Sequence, residues 1–249
     1  MSYVAVSAIS HPGLLRERNE DSLVVGPWTL CATVTENPQT MIFPLGTPLV
    51  VAVADGLGGH PGGEVASALV VREIASLGPA LTSEVAVREA LNVCNRAVFQ
   101  AADGEQGADL VGMGTTVAGI VVQPKSLYVF NVGDSQVFVA SPDGLRQLSI
   151  DDSPPHPAGQ TTALVTQCLG GSPTFRAVHP HVTSATIAPG ERFLICSDGL
   201  TDPLTTDVLD EILRKHDDGR AAFELWKAAI EAGGPDNITV AVVRVQEEE

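Results

Sequence analysis

Apolar residues along this chain follow two rhythms. YVAVSAIS (3–10), LVVAVAD (49–55), TTVAGIVV (115–122), SLYVFNVGD (126–134), QVFVA (136–140), RFLICSD (192–198) and NITVAVVRV (237–245) are short runs rich in β-branched or aromatic residues, and read as strands. SPDG at 141–144 is a turn signal; it predicts a hairpin that returns through Leu145 to Leu148. Between these runs the period lengthens. Residues 64–77 carry Val65, Leu69, Val70, Ile74 and Leu77 on one side, and residues 83–101 carry Val87, Leu91, Cys94 and Val98 at helical spacing. TTDVLDEILRKH (205–216) and RAAFELWKAAIEAG (220–233) read as two more amphipathic helices. Thr205 or Thr206 would cap the first, and Gly233 and Gly234 would stop the second.

The order is strands, two helices, strands, two helices, a final strand. It does not alternate strand and helix, so antiparallel sheets with helices outside fit better than a parallel doubly wound sheet. Residues 151–162, DDSPPHPAGQTT, hold three prolines and no period, which predicts an exposed loop. No internal repeat or low-complexity linker appears, and residues 1–249 read as one domain that ends in an acidic tail (246–249).

Composition narrows the function. Hydrophobic residues make up 44% of the chain and charged residues 18%, enough for a sizeable core and against disorder. The net charge of −16 argues against nucleic acid and against docking on an anionic membrane. Cys31, Cys94, Cys168 and Cys196 are scattered without a CxxC pair, which points away from thiolate metal sites and disulfides and toward reducing cytoplasm. The N-terminal residues lack a basic segment and a long apolar core, so no signal peptide is expected. No uncharged apolar run approaches the roughly 20 residues of a spanning helix.

The acidic residues carry the chemistry. Asp55 ends LVVAVA, Asp134 follows SLYVFNVG, Asp198 follows RFLICS and Asp236 precedes NITVAVV. Any one of them alone would be a turn or cap residue. Four with the same local grammar suggest convergence, because sheets bring strand ends together. Converged carboxylates repel unless hard cations lie between them, and oxygen-only ligation selects Mg²⁺, Mn²⁺ or Ca²⁺. Two such ions about 4 Å apart would activate a bridging water for in-line attack on phosphorus. Gly56, beside Asp55, would let a backbone carbonyl approach an ion. Glu20 and Asp21 add two carboxylates. Arg16 or Arg18 would hold phosphoryl oxygens, and their spacing does not choose between them. His60, in the glycine-rich stretch 56–63, is either a proton donor to the leaving alkoxide, another active-site contact or a residue of the loop.

RERNEDS (16–22), VADGLGGHPGGEVAS (53–67), MGTT (113–116), VGDS (132–135), CSDGLTD (196–202) and GPDNITV (234–240) together resemble, in order, the motifs of the metal-dependent serine/threonine protein phosphatases of type 2C, in their bacterial form. The resemblance runs from about residue 5 to 245. It implies a four-layer α/β/β/α sandwich of the α+β class, with two mostly antiparallel sheets face to face and helices outside. It implies two Mn²⁺ or Mg²⁺ ions bridged by Asp55, with the Gly56 carbonyl on one and Asp198 and Asp236 on the other. Glu20 and Asp21 would act through water, Asp134 would share a third ion with Asp198, and Arg16 rather than Arg18 would bind the phosphate. It further implies phosphorylated proteins as substrates and a Ser/Thr kinase or its substrates as partners; separately, a monomer is expected.

The chain departs from the family pattern in three places. Gln136 stands where the family has Arg, and Asp151, Asp152, Ser153 stand where it has D-H-S. The flap-like segment 151–168 is short. An extra stretch, 27–46, is expected to form a hairpin with a longer loop.

Rival readings lack their residues. Six positions beyond the four cysteines stand Asn37, Gln100, Thr174 and Asp202, so the Cys-x₅-Arg of a cysteine phosphatase is missing. Gly58 to Gly63 has the spacing of a P-loop, but Glu64 replaces the lysine. No G-x-S-x-G elbow occurs, and His216-Asp217 has no partner histidines. A non-catalytic phosphoprotein-binding or metal-sensing relative would lose ligand carboxylates or the arginine. A phosphatase of a non-protein phosphomonoester would keep both.

Overall fold

The computed structural model describes residues 2–57, 62–103, 109–124, 126–154, 164–187 and 191–247. In chain order its first half contains β1 (Ser2–His11), β2 (Ser22–Val25), β3 (Trp28–Cys31), β4 (Gln39–Pro44), β5 (Leu49–Ala54), α1 (Gly63–Leu77) and α2 (Glu84–Ala101). Then come β6 (Gly114–Thr115), β7 (Val117–Val122), β8 (Leu127–Val132), β9 (Gln136–Ser141), β10 (Gly144–Gln147), β11 (Leu169–Gly170) and β12 (His181–Ala185). The chain closes with β13 (Arg192–Cys196), α3 (Asp198–Thr201), α4 (Thr206–Lys215), α5 (Asp218–Glu231) and β14 (Ile238–Glu247).

Two six-stranded sheets form, with strand orders β10-β9-β13-β14-β1-β4 and β12-β8-β7-β5-β2-β3. Every pairing within them is antiparallel. A two-stranded ribbon joins β11 to β6. The expected four layers arise from the side that each residue faces. Leu49, Val51 and Val53 of β5 join Val4 and Val6 of β1, Phe193 and Ile195 of β13 and Val243 of β14 in a core between the sheets. The alternate residues Val50, Ala52 and Ala54 pack outward under α1 and α2 with Val70, Ile74, Leu91 and Cys94. On the far side, Leu194, Val240 and Val242 pack under α4 and α5 with Leu209, Leu213, Ala222 and Leu225. Central strands are thus covered on both faces, which is why their sequences run apolar without alternating. The α2 stripe of Val87, Leu91, Cys94 and Val98 is buried as expected, whereas Val65 of α1 is exposed and Ala66, Val70 and Ile74 carry that helix's contact.

Helix ends follow local chemistry. Ser83 Oγ accepts from the Ala86 N–H (3.1 Å) to start α2, and Asp217 accepts from the Arg220 N–H (2.8 Å) to start α5. Thr205 occupies the N-cap of α4, and Gly233 and Gly234 come after α5 with positive φ.

The stretch 27–46 corrects an expectation. It contains two strands, but they do not pair with one another. β3 pairs with β2 in one sheet, and β4 pairs with β1 in the other. The stretch therefore crosses from the edge of one sheet to the edge of its neighbour. Two edges of a sandwich each accept a strand, and a hairpin would have extended only one.

Candidate active site

The acids gather at one end of the sandwich. Asp55 directly follows β5 and Glu20 and Asp21 precede β2, all in one sheet; Asp198 follows β13 at the start of α3 and Asp236 precedes β14, in the other. Asp134 lies in the turn between β8 and β9, which crosses between the sheets. A cavity of about 560 Å³ is lined by Arg16, Asp55, Gly56, Asp134, Asp198 and Asp236. Glu20, Arg18 and Cys168 also reach it. His60 lies outside the described residues.

Backbone packing brings these groups close. A Cβ on Gly56 would lie 2.5 Å from the Gly63 carbonyl oxygen and 2.8 Å from that of Glu20, so only glycine lets the three segments meet. Thr115 Oγ1 donates to the Asp55 carbonyl (2.7 Å), and the Thr116 N–H donates to the same oxygen (2.8 Å). The predicted strand 115–122 is interrupted at Thr116, where the chain turns to make that bond.

The electrostatics are those of crowded acids. Burial, then the charges of Asp21 and Asp198, pushes Asp55 well above the usual carboxylate range. Asp198 is raised too, first by burial. Burial and then the Asp198 charge lift Asp134 to about 7. Asp21, fully buried, is lifted by burial to about 7 even though Ser197 Oγ donates to its Oδ2 at 2.8 Å. Arg16 Nη2 donates to Asp236 Oδ2 at 2.6 Å, which raises the arginine's pKa. Arg18 is largely exposed and 3.8 Å from Glu64, so the structure separates the two arginines where their spacing did not.

Among the described residues, no three acidic, histidine or cysteine side chains are already set around one point as a metal cage. The contacts explain why. Burial and crowding push Asp55 and Asp198 toward their neutral forms and Asp236 takes an arginine, which is how carboxylates relieve their repulsion from within the protein. The relief is incomplete: Asp198 Oδ1 and Asp21 Oδ1 are buried without a hydrogen-bond partner. Orphaned carboxylate oxygens facing other carboxylates form a donor set that fits hard divalent cations.

Other groups at the site were not singled out in the sequence. Asp202, one helical turn after Asp198, is held near 7 by burial and by the charges of Asp198 and Asp236; its place in CSDGLTD was the available signal. Asn237 fixes the segment that carries Arg16. Its Oδ1 accepts from the Glu20 N–H (2.7 Å), and its Nδ2 donates to the carbonyls of Arg18 (2.9 Å) and Pro12 (3.1 Å). Ser67 Oγ donates to the Glu20 carbonyl (2.6 Å). The departures from the family pattern are absorbed locally: Gln136 and Gln147 each donate to Asp151, at 2.7 and 2.6 Å.

Comparison with known proteins identifies the family. A family model described as protein phosphatase 2C matches residues 44–228. Serine/threonine protein phosphatase PstP of Mycobacterium tuberculosis is 32% identical over 255 residues, a match that covers 96% of this chain and 44% of PstP. The chain therefore spans less than half the length of that relative. Serine/threonine phosphatase stp of Listeria monocytogenes is 31% identical, with 93% of this chain and 92% of the relative covered. The catalytic domain of PstP, solved in complex with two manganese ions, superposes with a TM-score of 0.78 at 30% identity over 99% of this chain and 100% of that one. Stp1 from Staphylococcus aureus, 23% identical over 97% of this chain and 95% of its own, shares the fold with a TM-score of 0.80. A family match over more than half of the chain, together with a relative nearly a third identical along almost all of it, makes this chain a member of the protein phosphatase 2C family.

Proposed function

We propose that the chain is a Mn²⁺- or Mg²⁺-dependent phosphatase of phosphoserine and phosphothreonine in proteins. The observation that carries this reading is the end-of-sandwich cavity, where carboxylates from both sheets meet with orphaned oxygens and Arg16 bonded to one of them. Asp55, the Gly56 carbonyl, Asp198 and Asp236 would hold two cations, and Asp134 with Asp198 a third. Glu20 and Asp21 would act one step removed, through water; for Asp21 this suits its complete burial behind Ser197. When bound, the cations supply Lewis-acid polarisation of phosphoryl oxygens and a water of lowered pKa.

The chain's own residues do the rest. Arg16, once free of Asp236, presents paired N–H donors to the phosphate at the cavity mouth. Asn237 and Ser67 keep Glu20 and the arginine-bearing segment in place. No side-chain nucleophile is needed, and Cys168, whose thiol burial pushes up to about 11, is poorly suited to be one. His60 is read as a leaving-group proton donor or as a residue of the glycine loop.

The physiological reading goes further. We take residues 1–249 as one catalytic domain acting as a cytoplasmic monomer in signal transduction, on a Ser/Thr kinase and its phosphorylated targets. It is supported by the net charge of −16, and by the fact that no described helix is long and apolar enough to cross a membrane. Purified protein should release phosphate from a phosphothreonine peptide with Mn²⁺ and stop when EDTA is added. Hydrolysis that continues in EDTA would overturn the metal dependence.

A further inference from the structure

Asp152 stands where the type 2C motif has histidine, and both of its carboxylate oxygens are engaged outside the acid cluster. Its Oδ2 accepts from the Gly133 N–H (2.9 Å) and from Gln167 Nε2 (2.9 Å); its Oδ1 lies 2.9 Å from His181 Nε2. Its backbone bonds reach the same partners' segments: the Asp152 N–H donates to the Gly133 carbonyl (3.0 Å), and the Thr166 N–H donates to the Asp152 carbonyl (2.7 Å). The orientation of the Gln167 amide is set independently, because its Oε1 accepts from the His179 N–H (2.5 Å).

The bond to Gly133 matters because this glycine leads directly into Asp134. Gly133 has φ +104°, and a Cβ there would lie 2.6 Å from Thr116 Cβ. The peptide is thus held between Thr116 below and Asp152 above, and Asn131 Nδ2 donates to its carbonyl (3.1 Å). Left-handed glycine is conformationally permissive, so the direction in which Asp134 leaves this turn depends on those bonds.

We propose that Asp152 is a positioning residue for Asp134: it clamps the Gly133 peptide, and with Gln167 and His181 it ties that turn to both ends of the 152–166 segment. The inference rests on the reading of Asp134 as a cation ligand. Partners that orient metal ligands typically change metal affinity or activity by about 10–100-fold when removed.

The test compares Asp152→Ala with Asp152→Asn. Asparagine keeps one oxygen for Gly133 and Gln167, so it should rescue. In metal-free protein, hydrogen exchange at the Gly133 amide should quicken about tenfold in Asp152→Ala, as expected for losing one hydrogen bond to a carboxylate, while protection in the central strands is unchanged. Calorimetric Mn²⁺ titration should show the weakest site weakened about tenfold or more. Phosphopeptide turnover should fall with it and recover in excess Mn²⁺, with Asp152→Asn near wild type in each measurement. Unchanged Gly133 exchange and unchanged Mn²⁺ binding in folded Asp152→Ala would overturn the proposal, as would an Asn variant as impaired as the Ala variant. If Asp152→Ala does not fold, Gln167→Ala decides: faster Gly133 exchange alone supports the clamp, and unchanged exchange rejects it. A wild-type protein inactive on phosphopeptides would sink the proposed function, yet the metal-free exchange would still report on the clamp.

Discussion

Asp218 and Asp198 are both the first residue of a helix, and both are largely buried, but their counter-charges come from different places. Asp218 accepts two bonds from Arg244 (Nε 2.8 Å, Nη2 2.9 Å), and Arg192 Nε approaches it to 2.7 Å. Arg192 in turn donates to the carbonyls of Leu213 and His216. Asp198 instead faces Asp55 and Asp236 and keeps one oxygen without a partner. A buried charge is tolerated when it is paired and costly when it is not. The first cluster supplies its own counter-charges, with Arg192 and Arg244 on one carboxylate, and ties α5 to β13 and β14, although Arg192 Nε and Nη2 are buried without a hydrogen-bond partner. The second is incomplete as a piece of protein, which is the physical sign of a site that takes its positive charge from a ligand.

Substitutions should make that difference measurable. The largest effect is expected at the incomplete cluster. Asp198→Ala or Asp55→Ala should reduce phosphopeptide turnover about 10³-fold, the equivalent of roughly 4 kcal/mol of transition-state stabilisation. In EDTA, however, either variant should melt at or above the wild-type temperature, because one uncompensated acid has gone. A metal-free variant that melts well below wild type would show that these acids are structural after all.

The reverse is expected of Asp218. Asp218→Asn leaves buried Arg192 and half-buried Arg244 without their counter-charge and should cost about 3 kcal/mol, seen as a fall of about 10 °C in melting temperature for a chain of this size. Turnover per folded molecule should hardly change. A large kcat loss with normal melting would blur the contrast between the clusters.

Protonation separates them further. Asp21, Asp134 and Asp202 have folded values near 7, above the ordinary carboxylate value of 3.8. Between roughly pH 4 and 7 the folded, metal-free protein therefore binds more protons than the unfolded chain, so its stability falls as pH rises through that window. A loss of about 2 kcal/mol is expected, small beside the full linkage value because Asp134 and Asp202 are partly solvated. Melting curves in EDTA between pH 5 and 8 should show it, and Mn²⁺ should flatten the slope. Stability that rises with pH in EDTA would contradict the crowded-acid description.

The smallest effects distinguish the two arginines. Arg16→Ala should raise KM for a phosphopeptide about tenfold, in keeping with a charge-assisted hydrogen bond of about 1.5 kcal/mol. Arg18→Ala, removing an exposed side chain 3.8 Å from its carboxylate, should alter KM by less than about twofold and stability by less than about 0.5 kcal/mol. Equal effects in steady-state kinetics would remove the distinction that the structure draws.

Much of this was legible in the order of residues. Apolar runs covered on two faces announced buried strands, and α2 showed its buried stripe in full. The strand-end positions of Asp55, Asp134, Asp198 and Asp236 reflect where each run stops, since a charge cannot continue into a covered strand. Their convergence at one end of the sandwich is a consequence of strands that are antiparallel and adjacent. Other features had no local signature. β2, β3 and β12 are four or five residues long, too short for a period to declare itself, and the parting of β3 and β4 into different sheets depends on which edges are free. The pairing of Arg16 with Asp236 spans 220 positions. The clamps made by Asn237 and Asp152 join segments that only folding brings together. Sequence determined which stretches are covered and which residue types end them, because burial and charge act on each residue where it stands. Tertiary structure alone decided which charges find partners, because hydrogen bonds and ion pairs act over a few ångströms of space, whatever the separation along the chain.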